Sequence, residues 1–321
     1  MKALVRDSYG APSVIRLTEV DLPVPKDDEI RVRIHATTVN RTDVGVLTGL
    51  PYVFRLFIGV FKPKRRILGT DFAGEVEAVG KRVSDFKMGD RVWGLSDEGL
   101  ESNAEYMCIG EEKAVARIPE GFSFEEAVAC AEGAHYALNF INKVTLKKGD
   151  KVLVNGGTGA IGSASIQLLK TRGAHVTAVC GTLHLDLVKS IGADRVIDYL
   201  TEDFTEDKER YHIIADAVGK SSFPLCKHLL LDEGVYISSE LGPGWQNLYL
   251  PLITKIKGSK RVIFPLPTDV RGSILQMSQL MSEGKFQAVI DRRYTMEKVA
   301  DAYRYVMSGE KIGNVILKIV D

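Results

Sequence analysis

Over residues 1–120 the apolar positions fall in short β-rich runs: Lys2–Arg6, Ile15–Val20, Glu29–Thr37, Phe72–Val79, Arg91–Leu95, Ala104–Ile109 and Ala114–Arg117. Turn-forming residues separate them, as at Pro23-Val24-Pro25, Gly80-Lys81 and Met88-Gly89-Asp90, where glycine and proline break regular pairing. Short strands without a strand–helix rhythm predict a barrel-like β domain. Pro119 to Gly121 closes it, and Ser123–Val144 reads as a helical bridge.

The rhythm then changes. Lys151–Asn155 has the Val-Leu-Val core of a buried strand. Ala160–Thr171 carries Ile161, Ala164, Ile166, Leu168 and Leu169 and predicts a helix that Gly173 closes; Val176–Cys180 is a second strand. Strand and helix continue through Tyr211–Ala215, Ser221–Leu231 and Gly234–Ser238 to a last strand at Lys260–Phe264 and a helix over Val270–Glu283. Gln287–Asp321 returns to strand, helix (Met296–Ser308) and strand (Asn314–Val320). Such alternation predicts an α/β domain on a parallel sheet. The length of 321 residues exceeds the roughly 250–300 at which single cores stop growing. The predicted division is 1–121, 122–265 and a return segment 266–321.

Charge and cysteine usage narrow the class. Lys+Arg and Asp+Glu both number 42, so nothing in the balance points to nucleic acid or an anionic membrane. Cys108, Cys130, Cys180 and Cys226 are dispersed without a C-x-x-C pair, which fits free thiols in a reducing compartment and argues against a clustered zinc site. The N-terminal MKALVRDSYG is charged and lacks a signal-peptide apolar core, and no run approaches the length of a membrane span. The expectation is a cytoplasmic protein.

Candidate chemistry begins between the two central strands. Gly157, Gly159 and Gly162 give the spacing G-x-G-x-x-G, directly after a strand and opening a helix. The first glycine permits the turn, the second lets backbone approach a pyrophosphate, and the third lets helix and sheet pack closely. The unpaired N–H groups of the helix start attract the anion. Gly157, Thr158, Gly159, Ala160, Ile161 and Gly162 are therefore candidate dinucleotide ligands. An NAD site usually places a carboxylate at the end of the second strand, on the ribose 2′-OH. Here Gly181 stands there, followed by Thr182. Thr182, His184 and Tyr199 are candidate donors to a 2′-phosphate, and the reading favours NADP(H).

The order of these parts, with several motifs, resembles the medium-chain dehydrogenases/reductases over essentially the whole chain. The resemblance is carried by Ile67–Gly74, by Gly80 through Phe86–Val92, and by Ala104-Glu105-Tyr106. It continues in the glycine motif, Gly192-Ala193-Asp194, Asp216–Gly219 and Gly309–Val315. The branch it resembles is that of zinc-independent quinone oxidoreductase-like enzymes. The resemblance implies a GroES-like β-rich catalytic domain plus a Rossmann doubly wound cofactor domain, with Val218, Gly313 and Asn314 added to the cofactor contacts. Zinc-dependent members carry Cys where this chain has Asn40 and His-Glu where it has Thr70-Asp71. Their last Cys falls near Ala131, beside Cys130. Neutral Asn and Thr are poor zinc ligands, so no metal is expected.

Without a metal, hydrogen-bond donors must polarise the substrate carbonyl. The resemblance implies that this happens in a cleft between the domains, with Asn40 as the foremost candidate; Asn40 could equally cap the turn before Thr42–Leu47. Asp43 reads chiefly as fixing that loop. Well-known members carry a Tyr two residues after the equivalent Asp, where this chain has Gly45; Tyr52 could enter the site or pack at its rim. His135 replaces a Thr that the family places near the nicotinamide. It is either a proton donor or a helix histidine that binds the cofactor amide. Residues 50–66, LPYVFRLFIGVFKPKRR, read as an apolar lid, as core, or as an interfacial membrane contact. Val262-Ile263-Phe264 reads as a sheet edge, which the resemblance pairs into a homodimer. The implied activity is zinc-free, NADPH-dependent reduction of quinones or α,β-unsaturated carbonyls. A 2-enoyl-thioester reductase and a non-catalytic NADPH sensor stand as alternatives.

Overall fold

The computed structural model describes residues 1–96, 98–257 and 259–320, apart from the side chains of Phe54 and Lys257. Asp321, the last residue of the expected return segment, lies outside the described residues. The chain divides into two compact units, one built from Met1–Glu132 and Asp269–Asp321, the other from Gly133–Thr268.

The elements run β1 (Lys2–Val5), β2 (Arg16–Glu19), β3 (Glu29–Val39), α1 (Arg41–Thr48), α2 (Arg55–Ile58), β4 (Asp71–Val79), β5 (Arg91–Leu95), β6 (Tyr106–Gly110), β7 (Val115–Arg117) and α3 (Phe124–Ala129). Then follow α4 (Glu132–Asn142), β8 (Lys151–Asn155), α5 (Ala160–Thr171), β9 (His175–Cys180), α6 (Leu185–Ser190), β10 (Arg195–Asp198), β11 (Tyr211–Asp216), α7 (Phe223–Cys226), β12 (Leu230–Ser238), α8 (Gln246–Lys257) and β13 (Arg261–Ile263). The return consists of α9 (Val270–Ser282), β14 (Ile290–Thr295), α10 (Val299–Ser308) and β15 (Asn314–Lys318).

In the first unit, among the described residues, one sheet runs in the order β14-β15-β3-β4-β5-β7, with β6 also paired to β3. Strand β3 explains where the site falls. Residues 29–34 alternate between buried and half-buried or exposed, as one core-facing side requires, but the last four are all buried and include Thr37 and Thr38. Polar residues at the wholly buried end of a strand must be hydrogen-bonded, and that need organises the neighbourhood. The apolar core beneath gathers Ile30, Val32, Ile34, Phe72, Val76 and, from the return segment, Tyr303, Val315 and Leu317.

The second unit is a parallel sheet in the order β10-β9-β8-β11-β12-β13 among the described residues. This is the doubly wound order whose ligand crevice lies where the strand sequence reverses, outside the carboxyl ends of the two central strands. Those strands are β8 and β11, with Asn155 registered against Asp216.

One expected element differs, and another is divided. The helix-rich bridge expected over Ser123–Val144 is present as two helices parted at Cys130-Ala131, because α3 packs on β3, β4 and β15 while α4 from Gly133 onward belongs to the other unit. The junction between units accordingly falls at Glu132/Gly133, later than residue 121. The helix expected over Ser221–Leu231 shrinks to α7 and a 3-10 turn, since Leu230 is already paired in the sheet opposite Tyr211. Helix α8, which packs on β13, was not legible: its Pro251 reads as a breaker in sequence.

Candidate functional site

In the second unit the end of β8 turns at Gly156, whose φ of +83° favours glycine. A Cβ there would also lie 2.7 Å from the Cβ of Val218, so Val218 rests against the turn. Asp216 holds that loop in place: its carboxylate accepts from Asn155 Nδ2 at 3.0 Å, from the Gly219 N–H at 3.0 Å and from Tyr236 Oη at 2.9 Å. At Gly162 a Cβ would fall 2.0 Å from the Gly156 carbonyl oxygen, so helix α5 can leave the turn this closely only without a side chain. Gly159 is the N-cap of α5 and offers no side-chain cap; its nearest neighbour to a built Cβ is 3.8 Å away. The first-turn N–H groups, from Ala160 and Ile161 onward, thus receive no side-chain cap at the positive end of a helix, which suits a pyrophosphate.

At the far end of the nucleotide stretch, Gly181 follows β9 and Tyr199 follows β10. A Cβ on Gly181 would touch Tyr199 Oη at 3.3 Å, so the fold brings these two candidates together. Thr182 needs correcting as a donor. Parallel pairing sets Asp198 beside Cys180, and the Thr182 hydroxyl donates to that carboxylate. Its single proton is thereby committed. The other Asp198 oxygen accepts from the Leu200 N–H at 3.0 Å, so both carboxylate oxygens are engaged by the protein. His184 is half-buried and ends the 3-10 turn Thr182–His184.

His135 is fully buried in α4, with Asn139 Nδ2 within 3.4 Å of its ring nitrogens and also donating to the His135 carbonyl at 2.9 Å. Gly133, which the sequence reading passed over, lets α4 start against α5: a Cβ there would lie 2.8 Å from the Ala160 carbonyl.

In the first unit, Asn40 follows β3 and caps α1, and its backbone N–H donates to Asp43 Oδ2 at 2.9 Å. Asn40 Nδ2 donates to Thr38 Oγ1 at 2.6 Å, and the Thr38 hydroxyl donates to Asp71 Oδ2. Asp71 Oδ1 accepts in addition from the Thr38 N–H at 2.7 Å and the Thr37 hydroxyl at 2.9 Å. This chain orients the amide of Asn40; its buried Oδ1 faces the N3 backbone of a capping box but makes no full hydrogen bond among the described residues. The antiparallel register sets Val315 of β15 opposite Val39, which places Asn314 next to Asn40. Asn314 donates from its N–H to the Val289 carbonyl at 2.8 Å and from Nδ2 at 3.1 Å, and its Oδ1 is likewise buried without a partner. Gly313 adopts a φ of +59°, and a Cβ would fall 2.2 Å from the Val289 oxygen. Asn40, Asp43, Gly313 and Asn314 therefore form one neighbourhood. Tyr52 does not join it: 71% exposed, it lies under the Arg55 guanidinium at 4.8 Å.

Two buried amide oxygens short of donors among the described residues can accept N–H or O–H from water or a ligand. Asn40, expected to donate, thus presents an acceptor as its free atom. The acids behind it are strongly perturbed. Burial pushes Asp43 well above the usual carboxylate range, and Glu132 and Asp71 push it the same way. Burial also raises Asp71, to about 6, against its three threonine hydrogen bonds. Lys311, whose Nζ donates to the Gly313 carbonyl at 2.6 Å, is lowered by burial to about 8 despite the pull of Glu132 and Asp291. Lys311, Thr38 and Asp71 were missed in the sequence; the one available signal was Thr37-Thr38 interrupting the apolar end of a strand.

Cys130, beside Ala131, donates to the Glu126 carbonyl at 3.2 Å and is pushed up to about 12 by burial. Among the described residues no three His, Cys, Asp or Glu side chains group as a metal site.

Residues 26–140 match the family model of the alcohol dehydrogenase GroES-like domain, and 191–317 that of the zinc-binding dehydrogenases. The chain is 31% identical over 333 residues to the chloroplast envelope quinone oxidoreductase homolog of Arabidopsis thaliana, covering 99% of this chain and 98% of that protein. It belongs to the medium-chain dehydrogenase/reductase superfamily, in the quinone oxidoreductase-like branch. This medium-chain reductase is also 29% identical over 330 residues to the NADPH-dependent alkenal/one oxidoreductase of the same plant, covering 99% of this chain and 79% of that one. The quinone oxidoreductase from Coxiella burnetii superposes with a TM-score of 0.88 at 26% identity, covering 100% of this chain and 99% of that structure. The GroES-like and Rossmann architecture of the superfamily is the architecture described above.

Proposed function

We propose that this medium-chain reductase uses NADPH, without a metal, to reduce quinones or the conjugated double bond of α,β-unsaturated ketones and aldehydes. The observation that carries the reading is the uncapped start of α5 over a glycine turn at the reversal point of the parallel sheet, a place built for a dinucleotide pyrophosphate. The substrate class rests on the named relatives, a quinone oxidoreductase homolog and an alkenal/one oxidoreductase.

When bound, NADPH supplies a hydride; the chain's own residues bind and orient. The first turn of α5 holds the pyrophosphate, and Gly181 with Tyr199 receives the 2′-phosphate end. Asn40 Oδ1 and Asn314 Oδ1 accept hydrogens from hydroxyl or carboxamide groups of the cofactor. Asp43 fixes the start of α1 behind Asn40. His135, already engaged by Asn139, holds position rather than donating a proton. Lys311, with a pKa of about 8, is the side chain best suited to hold a proton for the product near neutral pH. The outermost strand β13 is the edge on which two copies would pair as a homodimer. Dispersed free cysteines, three of them buried, suit the cytoplasm.

The test is oxidation of NADPH and NADH against a panel of quinones, enones and enoyl thioesters, with and without chelator. NADPH turnover on quinones or enones, untouched by chelator, is the expected result. Turnover confined to enoyl thioesters would transfer the assignment to that reductase class. Tight NADPH binding with silence across the panel would make the protein a sensor.

A further inference from the structure

The segment from Leu50 to Arg66 carries Arg55, Lys62, Lys64, Arg65 and Arg66 and no Asp or Glu. It also holds the largest local exposure of apolar side chains in the first unit: Leu56 is 66%, Phe57 73%, Val60 50% and Phe61 96% exposed. An apolar patch of this kind in a soluble fold marks an interaction site.

The segment is a built structure. Gly59, at a φ of +122°, turns so tightly that a Cβ would fall 2.0 Å from the Lys62 carbonyl oxygen. Tyr9 Oη donates to the Gly59 carbonyl at 2.6 Å, and the Lys64 N–H donates to the Ile58 carbonyl at 2.8 Å. At the base, Arg55 donates from Nε to the Gly49 carbonyl at 3.1 Å and lies 4.4 Å over the Tyr9 ring. Pro63 is buried. The backbone is thus pinned inward while Phe57 and Phe61 stand in water. Arg65 pairs with Glu101 and Arg66 with Asp7, but Lys62 and Lys64 have no acidic partner among the described residues.

We propose that this segment docks the protein on an anionic lipid surface, with Phe57 and Phe61 entering the headgroup–acyl boundary and Lys62 and Lys64 lying over the headgroups. Apolar side chains bordered by cations are what such an interface selects. A second copy of this chain is a poorer occupant, since a like patch would set cation against cation. The wall of a site for an uncharged quinone or enone would gain nothing from Lys62 and Lys64 at its border; the phosphates of an enoyl thioester would, and a raised KM for that substrate in the lysine variant without any lipid binding would overturn the proposal in its favour. The segment is too short and too charged to span a bilayer.

The test is flotation of the full chain with vesicles of phosphatidylcholine alone or mixed with phosphatidylglycerol. Two double variants, Phe57→Ser/Phe61→Ser and Lys62→Glu/Lys64→Glu, are compared with the wild type. The protein should float with mixed vesicles only, less so at high salt. Each double variant should lose at least roughly tenfold in partitioning, with NADPH affinity and melting temperature unchanged as a check on folding. Wild-type protein that stays behind with mixed vesicles overturns the proposal, as does flotation indifferent to both variants. So does a wild-type dimer that the phenylalanine variant dissolves without any lipid binding, which would make the patch a contact between copies. A phenylalanine variant whose one defect is a raised KM for apolar substrates would instead make it a substrate wall.

Discussion

Thr38 has one hydroxyl proton and two neighbours that could take it. The carboxylate of Asp71 wins it, so towards Asn40 the hydroxyl can only accept, and the amide must present its nitrogen. The direction of Asn40 is thus set two residues away, by a charge. Burial makes that charge costly. Asp71 ionises near 3.8 when unfolded and at about 6 when folded. The folded state therefore holds the proton more tightly. The stability this contributes is full below 3.8 and is lost as pH rises through 6, by up to about 3 kcal/mol at 1.36 kcal/mol per pKa unit. In Asp71→Asn the Nδ2 can donate to Thr38, whose proton then turns to Asn40 and reverses the amide. Urea melts of this variant should lose the Asp71 share of the decline in stability between about pH 4 and 6, while NADPH affinity at pH 7 falls by about tenfold, the equivalent of one neutral hydrogen bond. Unchanged affinity would show that the direction of Asn40 does not matter to the cofactor.

At the scale of elements, the glycines of the β8–α5 turn separate into two kinds although the motif writes them alike. Gly162 is required by the fold, because any Cβ meets the Gly156 carbonyl oxygen at 2.0 Å. Gly159 has an ordinary φ of −69° and open space around it. Gly159→Ala should melt at or slightly above the wild-type temperature, since a compatible Gly→Ala change gains about 0.4–1 kcal/mol. Its NADPH titration should nonetheless weaken severalfold, the methyl standing where the pyrophosphate approaches. Gly162→Ala should lose about 2–3 kcal/mol through backbone strain and bind poorly for that reason. Equal destabilisation of the two variants in parallel melts would refute the distinction. The helical bridge of residues 123–144 divides into α3 and α4 because two different units bury its two halves.

For the whole molecule, the glycine turn proposed to hold the pyrophosphate lies in the second unit, so the strongest effect of the cofactor is expected there. At a hundredfold excess over Kd, NADPH should raise stability by about 2.7 kcal/mol. Hydrogen exchange should show the new protection centred on β8, α5 and β9; protection confined to the first unit would contradict this placement of the cofactor. The sequence by itself determined the two rhythms, the Rossmann strands and the glycine turn, because these are local: period, turn chemistry and helix starts are written in neighbouring residues. It also named Asn40, Asp43, Gly313 and Asn314, though as members of separate motifs. Only the tertiary structure decided that Asn314 stands beside Asn40, that Asp71 and Thr38 aim the amide, that Asp198 takes the Thr182 proton and that Lys311 is driven towards neutrality. Each of these depends on strand register or on burial among distant residues, and neither quantity exists until the sheets are paired.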